Sequence, residues 1–268
     1  MRIQHNIMAM NANRNLTMNN TALSKNLEKL SSGYRINRAG DDAAGLAISE
    51  RMRADIAIYD QSIRNANDGI AMVQTVEGAL TEVHSMLNRA ETLATQMANG
   101  TYDDINYEQA QYEIDALNAE IKRIASDTKF NGKKLFGGDE AKFQVSENAD
   151  ASKLISLKLN TYTLDTIQID PLSSRGDAQG AMTSIKESID TVSSWRAEMG
   201  AVQNRLEHTV NNLGVTKENL QSAESSIRDT NIADEMMAYT KNNILIQSAQ
   251  AMLAQANQAP QGVLQLMQ

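Results

Sequence analysis

The chain has 268 residues, of which 41% are hydrophobic and only 4% aromatic, with two prolines and no cysteine. A net charge of -8 and a pI near 5.0 argue against a nucleic-acid partner, which needs clustered lysine and arginine. Without cysteine there are no disulfides, thiolate metal sites or thiol nucleophiles, and no apolar run approaches the ~20 residues of a membrane span.

The first residues, MRIQHNIMAMNANRN, are polar throughout and lack the apolar stretch of a cleavable signal. Export, if it occurs, is therefore expected by a route that needs no such signal. Leu16, Leu23, Leu27 and Leu30 keep a loose helical register. The apolar side chains of residues 1–30 are few against the cost of ordering that much backbone. Isolated helices are marginal in water, so both ends are expected to be disordered alone and helical on assembly. Residues 1–30 carry a charge of +3 and residues 229–268 a charge of -2. Opposite signs suit two ends that pair, and two separately solvated tails are the alternative.

Gly33 and Gly40 bracket a loop, SSGYRINRAGDD, with Asp41 and Asp42 placed to open a helix near Ala43. That helix is expected from about 44 to 98, roughly 80 Å at the helical rise, and NGTYDD ends it. Its stripe is Val73, Val76, Leu80, Val83, Leu87, Ala90, Ala94 and Met97. Alternating spacings of three and four are the mark of coiled-coil packing. A second stripe runs Tyr107, Ala110, Ile114, Leu117, Ile121 and Ile124.

Strand patterning is confined to the middle. Phe143 and Val145 alternate with polar residues, as do Ile155, Leu157 and Leu159, then Ile167 and Ile169. This predicts β-hairpins near 139–170. A third helical stripe follows at Met182, Ile185, Ile189, Val192, Met199, Leu206, Val210, Leu213, Leu220 and Ile227, interrupted by Arg196, Gln203, Lys217 and Glu224. The last runs Leu245, Ala249, Met252, Ala256, Ala259, Val263 and Leu266. The fold class is thus mainly α, a long coiled-coil-like helical bundle with a small β-hairpin patch mid-chain.

Chemistry is sparse. His5, His84 and His208 form no HExxH pair, and no phosphate-loop, dinucleotide or nucleophile-elbow sequence occurs. No nucleophile, base and oxyanion donor come together, so no enzyme, metal or cofactor is expected. Met236, Met237, Met252 and Met267 suit ordinary helix packing or an adaptable partner surface.

Long blocks of the sequence resemble bacterial flagellins. At the N-terminal end these are MRIQHNIMAMNANRN, EKLSSGYRINRAGDDAAGLAISERMR, DGIAMVQTVEGALTEVHSMLNRAETLATQ and TKFNGKKLF. At the other end they are GAVQNRLEHTVNNL, ENLQSAESSIRDTNIADEM and SAQAMLAQANQAPQGVLQLM. The resemblance covers about 1–145 and 180–268. It implies a filament subunit with an inner discontinuous domain, 1–44 plus 229–268, and an outer rod domain, 45–228. With only about 40 residues between the matched arms, the variable outer domains of many relatives are expected to be missing. A hook–filament junction protein, which resembles the family less across the middle, is the alternative.

The resemblance further implies that Ile3, Ile7, Leu16, Leu23, Leu27, Leu30, Leu245, Met252, Leu253, Val263, Leu264 and Leu266 pack the filament core. It implies unfolded export through the flagellar type III apparatus and a secreted, extracellular location. A flagellin export chaperone would hold Ile232, Met236, Ile244, Leu245, Met252, Leu253, Val263, Leu264 and Leu266. Filament cap and hook-filament junction proteins are the other expected axial partners. Contact with Toll-like receptor 5 is implied through Arg89, Leu93 and Glu113. Many relatives have Arg-Glu before that leucine, whereas this chain has Glu91 and Thr92, a charge change that works against binding where like charges meet.

Overall fold

The computed structural model describes residues 6–146, 154–164 and 167–266, with side chains described to residue 258. Its helices are α1 (Ile7–Ser32), α2 (Ala43–Met97), α3 (Asp104–Asp127), α4 (Arg175–Arg228) and α5 (Ile232–Leu266). Two short hairpins lie between α3 and α4: β1 (Lys129–Phe130) with β2 (Lys133–Lys134), and β3 (Ala141–Phe143) with β4 (Ile155–Leu157). The chain forms two compact units, residues 1–56 with 218–268 and residues 57–217. Helices α2 and α4 contribute to both.

In the 57–217 unit, every residue of the α2 stripe from Val73 to Met97 is buried. On α3, Tyr107, Ala110, Ile114 and Ile121 are buried, with Leu117 and Ile124 packed at the core's edge. The Tyr107 hydroxyl donates to the Met97 carbonyl at 2.9 Å, tying the start of α3 to the end of α2. The seam of α4 is Ala178, Ala181, Ile185, Val192, Trp195, Met199, Val202 and Leu206. Here the expected stripe needs correction. Trp195 and Val202 occupy the seam, and Arg196 and Gln203 are their neighbours at its edge. The interruption is a matter of phase, because adjacent residues at heptad spacing both fit the pattern until packing selects one. Arg196 reaches Glu77 at 3.8 Å, and Lys217 reaches Asp60 at 2.6 Å.

The β patch is smaller than the alternation suggests. Antiparallel pairing sets Ala141 against Leu157 and Phe143 against Ile155. Leu159 opens a 3-10 turn, and Ile167 and Ile169 are buried without strand pairing. Their backbone finds α3 instead. The Asn118 amide accepts from the Ile169 N–H and donates to the Ile169 carbonyl, both at 3.1 Å, and Gln111 accepts from the Leu172 N–H at 2.5 Å. Side-chain amides thus satisfy backbone groups that a strand would have paired. The hairpin β1–β2 is an addition. Asn131 (φ 49°) and Gly132 (φ 79°) supply the two positive angles of a type I′ turn, and its two-residue strands are too short to show alternation.

The unit formed by 1–56 and 218–268 is built on α1 packed against α5. Asn6 caps α1 by accepting from the Ala9 N–H at 3.1 Å, and Asp42 caps α2 by accepting from the Gly45 N–H at 2.9 Å. Asp41 serves the preceding loop, accepting from the N–H groups of Arg38 (3.1 Å) and Asn37 (3.2 Å). These bonds, that to Arg38 foremost, hold its carboxyl below the ordinary range.

Candidate assembly surface

The covered positions of α1 include Ala9, Ala12, Leu16, Asn19, Leu23, Asn26 and Leu30, again alternating three and four. Those of α5 include Tyr239, Asn242, Ile246, Ala249, Leu253 and Ala256. This shifts the last predicted stripe. Ala249 and Ala256 lie inside as expected, while Leu245 and Met252 face outward and Ile246 and Leu253 take their places. Leu245-Ile246 and Met252-Leu253 are adjacent apolar pairs, so period alone left the phase open. Leu16, Leu23 and Leu30 are half-buried, and Leu27 is exposed. Ile3 lies outside the described residues. Ala259, Val263, Leu264 and Leu266 belong to α5, beyond its described side chains.

The apolar layer between α1 and α5 is thin. Among the described residues, only Ala12, Ile246 and Ala249 are buried apolar residues there, joined by the polar Asn26. With its amide assigned so that donor and acceptor each meet a partner, the Asn26 nitrogen faces Glu235 Oε1 at 2.9 Å and the Ala22 carbonyl at 3.1 Å. Its oxygen faces the Asn242 amide nitrogen at 3.0 Å and the Tyr239 N–H at 3.3 Å. That orientation gives donor and acceptor each a partner. Lys29 stands 3.9 Å from Glu235, and the Asn6 amide donates to the Ala256 carbonyl at 2.7 Å.

The helix ends nearest the loop are fixed by backbone. Arg35 N–H donates to the Arg228 carbonyl at 2.7 Å, and Thr230 N–H to the Gly33 carbonyl at 3.0 Å. The Arg228 guanidinium lies 4.7 Å over the Tyr34 ring and donates to Glu50 at 2.6 Å. That hydrogen bond is the main reason the Glu50 carboxyl sits below its ordinary value.

Large apolar side chains crowd the outer faces instead. On α1 these are Ile7, Met8, Met10, Met18 and Leu27, and on α5 Ile232, Met236, Met237, Ile244, Leu245 and Met252. Met8 is 74% exposed and Met252 62%. Large apolar side chains exposed in this number on one pair of helices point to an interaction site. Met8, Met10 and Met18 are not among the filament-core residues that the resemblance implies. They fall off the internal stripe, and their signal is that they are apolar where a solvated face would be polar.

In the 57–217 unit, Arg89 and Glu113 form a bidentate pair, Nε to Oε1 at 2.7 Å and Nη2 to Oε2 at 3.1 Å, with both side chains about half exposed. Leu93 is 5% exposed and belongs to the core. The three predicted receptor residues are thus two surface groups bound to one another and one interior group. Among the described residues, no group of three or more histidine or acidic side chains could hold a metal ion, and no helix is long and apolar enough to cross a membrane.

Comparison with known proteins gives the chain's family. Residues 3–141 match the family model of the bacterial flagellin N-terminal helical region, and residues 182–267 that of the C-terminal helical region. The chain is 49% identical over 269 residues to a flagellin of Halalkalibacterium halodurans, covering 99% of each chain. It is 47% identical over 307 residues to a flagellin of Bacillus subtilis, covering 100% of each. The crystal structure of Bacillus cereus flagellin is similar with a TM-score of 0.51 at 30% identity, covering 56% of this chain and 88% of that one.

Proposed function

Because the chain belongs to the bacterial flagellin family, and is therefore a structural subunit of the flagellar filament and not an enzyme, we propose that its α1–α5 pair is the element that packs between subunits. The filament is an extracellular appendage that serves motility. The observation that carries the proposal is the inversion of burial in that pair. Its interior holds Ala12, Ile246, Ala249, half-buried leucines and a polar network, while its described methionines, with Ile7, Leu27, Ile232, Ile244 and Leu245, stand outside. Burying each such side chain contributes about 1–3 kcal/mol, available only when a neighbour covers it. Contacts between unlike faces of identical subunits do not close, and so extend into a helix.

The proposed packing surface comprises Ile7, Leu27, Leu245 and Met252 on the outside, with Leu16, Leu23, Leu30 and Leu253 supporting them from the pair's interior. Ile3, Val263, Leu264 and Leu266 join them on the sequence reading. The inner domain would be 1–44 with 229–268, and the outer rod 45–228. With so thin an interior, α1 and α5 gain most of their order on assembly. Deleting Ser248–Gln268 should abolish polymerisation while the 57–217 core still melts as before. Filaments grown from the truncated chain, seen by electron microscopy, would overturn the proposal.

Family membership supports export through the type III apparatus, with a flagellin chaperone covering Ile232, Met236, Ile244, Leu245, Met252, Leu253, Val263, Leu264 and Leu266. Exposure of Ile232, Met236, Ile244 and Met252 on the chain alone favours it. Chaperone and filament would then compete for one face. Unchanged chaperone affinity in Leu253→Asp with Leu264→Asp would reject it. The cap and hook-filament junction proteins would meet the same terminal helices. Recognition by Toll-like receptor 5 would act through Arg89 and Glu113, with Leu93 supporting them from beneath. A reporter-cell assay with monomer tests it, and equal signalling by Arg89→Ala would count against it.

A further inference from the structure

We infer that the outward methionines of α1 and α5 are an oxidation site that controls assembly: a peroxide that meets the free subunit converts these thioethers to sulfoxides, and the face they form no longer packs against a neighbour. This rests on the proposed role of the terminal pair between subunits.

The chain holds 14 methionines and no cysteine, so thioether is its only sulfur chemistry. A peroxide reaches a thioether only where the sulfur is accessible, and the structure sorts the residues sharply. Met8, Met10, Met18, Met236, Met237 and Met252, all on α1 or α5, are 48–74% exposed. Met72, Met97 and Met199 of the 57–217 unit are 0–4% exposed and belong to its core. Met52, Met86 and Met182 are half-buried, and Met1 and Met267 lie outside the described residues. Loosening of α1 and α5 in the free chain would only raise the exposure of the six.

The step balances with peroxide as oxidant. The sulfur lone pair attacks one peroxide oxygen, the O–O bond breaks as the S–O bond forms, and water leaves. Sulfur gives up two electrons and peroxide takes them. The product is polar, and its oxygen accepts hydrogen bonds. On the free subunit that oxygen stays solvated. Under a neighbouring copy it would lose its water beside apolar residues such as Ile7, Leu27 and Ile244, which share the outward faces. An unpaired buried acceptor costs more than a paired one contributes, and the apolar contribution of the methionine is forfeited as well. Each covered sulfoxide should therefore raise the critical concentration for elongation by at least about tenfold.

Free and assembled subunits differ in susceptibility. In the filament, neighbours cover these sulfurs, and the same peroxide spares them. Oxidation thus stops growth without dismantling what is already built.

The test treats the full free chain with hydrogen peroxide until peptide mass spectrometry shows sulfoxide at the six sites, with Met72, Met97 and Met199 intact. Seeded elongation is then followed by sedimentation. The oxidised chain should elongate only at a critical concentration at least about tenfold above the parent's. Methionine sulfoxide reductases of both epimer specificities should return it to the parent value. Replacement of all six by leucine (Met8→Leu, Met10→Leu, Met18→Leu, Met236→Leu, Met237→Leu, Met252→Leu) keeps size and apolarity. That variant should elongate equally before and after peroxide. Completed filaments given the same treatment should carry much less sulfoxide at the six sites than the free chain.

Elongation of the oxidised parent at its original critical concentration would overturn the inference. So would equal oxidation of the six sites in filaments and in the free chain, or loss of elongation by the peroxide-treated leucine variant, since the lesion would then lie elsewhere. If the leucine variant does not assemble at all, reductase treatment of the oxidised parent decides: recovered elongation supports the inference, and none overturns it. Normal elongation of the oxidised chain beside a blocked Met252→Asp would leave the role of the terminal pair intact, so the two readings fail separately.

Discussion

Met252→Asp separates a surface that is merely exposed from one reserved for neighbouring subunits. Met252 is 62% exposed on the chain alone and one residue from the half-buried Leu253. In the free subunit an exposed substitution of this kind stays within about 0.5 kcal/mol, so helicity and the melting of the 57–217 core should match the parent. In the filament the exposed part of the methionine would be covered, contributing about 1–2 kcal/mol. Aspartate forfeits that and adds several kcal/mol for a carboxylate taken out of water without a partner. Each 1.4 kcal/mol is about tenfold in an equilibrium constant, so the critical concentration for elongation should rise by roughly a hundredfold or more. The assay is seeded growth across a range of monomer concentrations, read by sedimentation. Elongation by Met252→Asp at the parent's critical concentration would refute the reasoning, because the face would then remain wet in the filament.

Three further outcomes test other parts of the structure. Leu80 is fully buried in the α2 seam, so Leu80→Ala should cost about 3–5 kcal/mol, visible as a lower urea midpoint of the 57–217 unit. Gly45→Ala should destabilise the start of α2 by about 1 kcal/mol, although alanine is the better helix former. An added Cβ would collide with the capping carboxylate of Asp42 and come within 2.9 Å of Ile36 Cδ1, which calorimetry of the variant would register. Glu50, held below its ordinary value of 4.5 chiefly by Arg228, contributes stability that is fully present above that value and is lost as the pH falls through the lowered one. Parent and Glu50→Gln should therefore differ in denaturant midpoint at neutral pH and converge on acidification, and a pH-independent gap would reject the pairing.

Much of the fold was legible in the chain because its helices announce themselves by period. The α2 stripe from Val73 to Met97 was readable in full, since it is apolar at each seam position and runs unbroken through alternating spacings of three and four. Phase failed where apolar residues stand in adjacent pairs. Ile246 and Leu253 on α5 could be told from Leu245 and Met252 only by what they pack against, whereas on α4 the seam passes one residue earlier than the stripe suggested, to Trp195 and Val202 beside Arg196 and Gln203. The strand expectation at Ile167 and Ile169 failed for a different reason. Alternation reports that every second side chain is buried, and coil whose backbone is bonded by Asn118 and Gln111 buries them equally well. At the candidate site, Leu253 and Met252 were both visible as apolar, but which one faces inward was not. Asn26 was invisible, because one of the six asparagines of α1 carries no signal until Glu235 and Asn242, more than two hundred positions away, are brought beside it.

The two units put their apolar residues to opposite uses. In residues 57–217, valine, leucine and isoleucine go inward until the seam of α2 is dry, and the surface keeps ion pairs such as Arg89–Glu113. In the α1–α5 pair the interior is filled by alanine, Ile246, half-buried leucine and the amides of Asn26 and Asn242, and the described methionines go outward. A subunit core of leucine would have made the pair stable alone and left little for assembly to add. An interior of small and polar residues does the reverse. It holds the pair weakly and leaves most of the hydrophobic driving force to the contacts between copies. On the proposed reading, the low melting cost of such a pair also suits a chain exported before it assembles, since the helices that would build the filament are the ones least able to hold themselves folded.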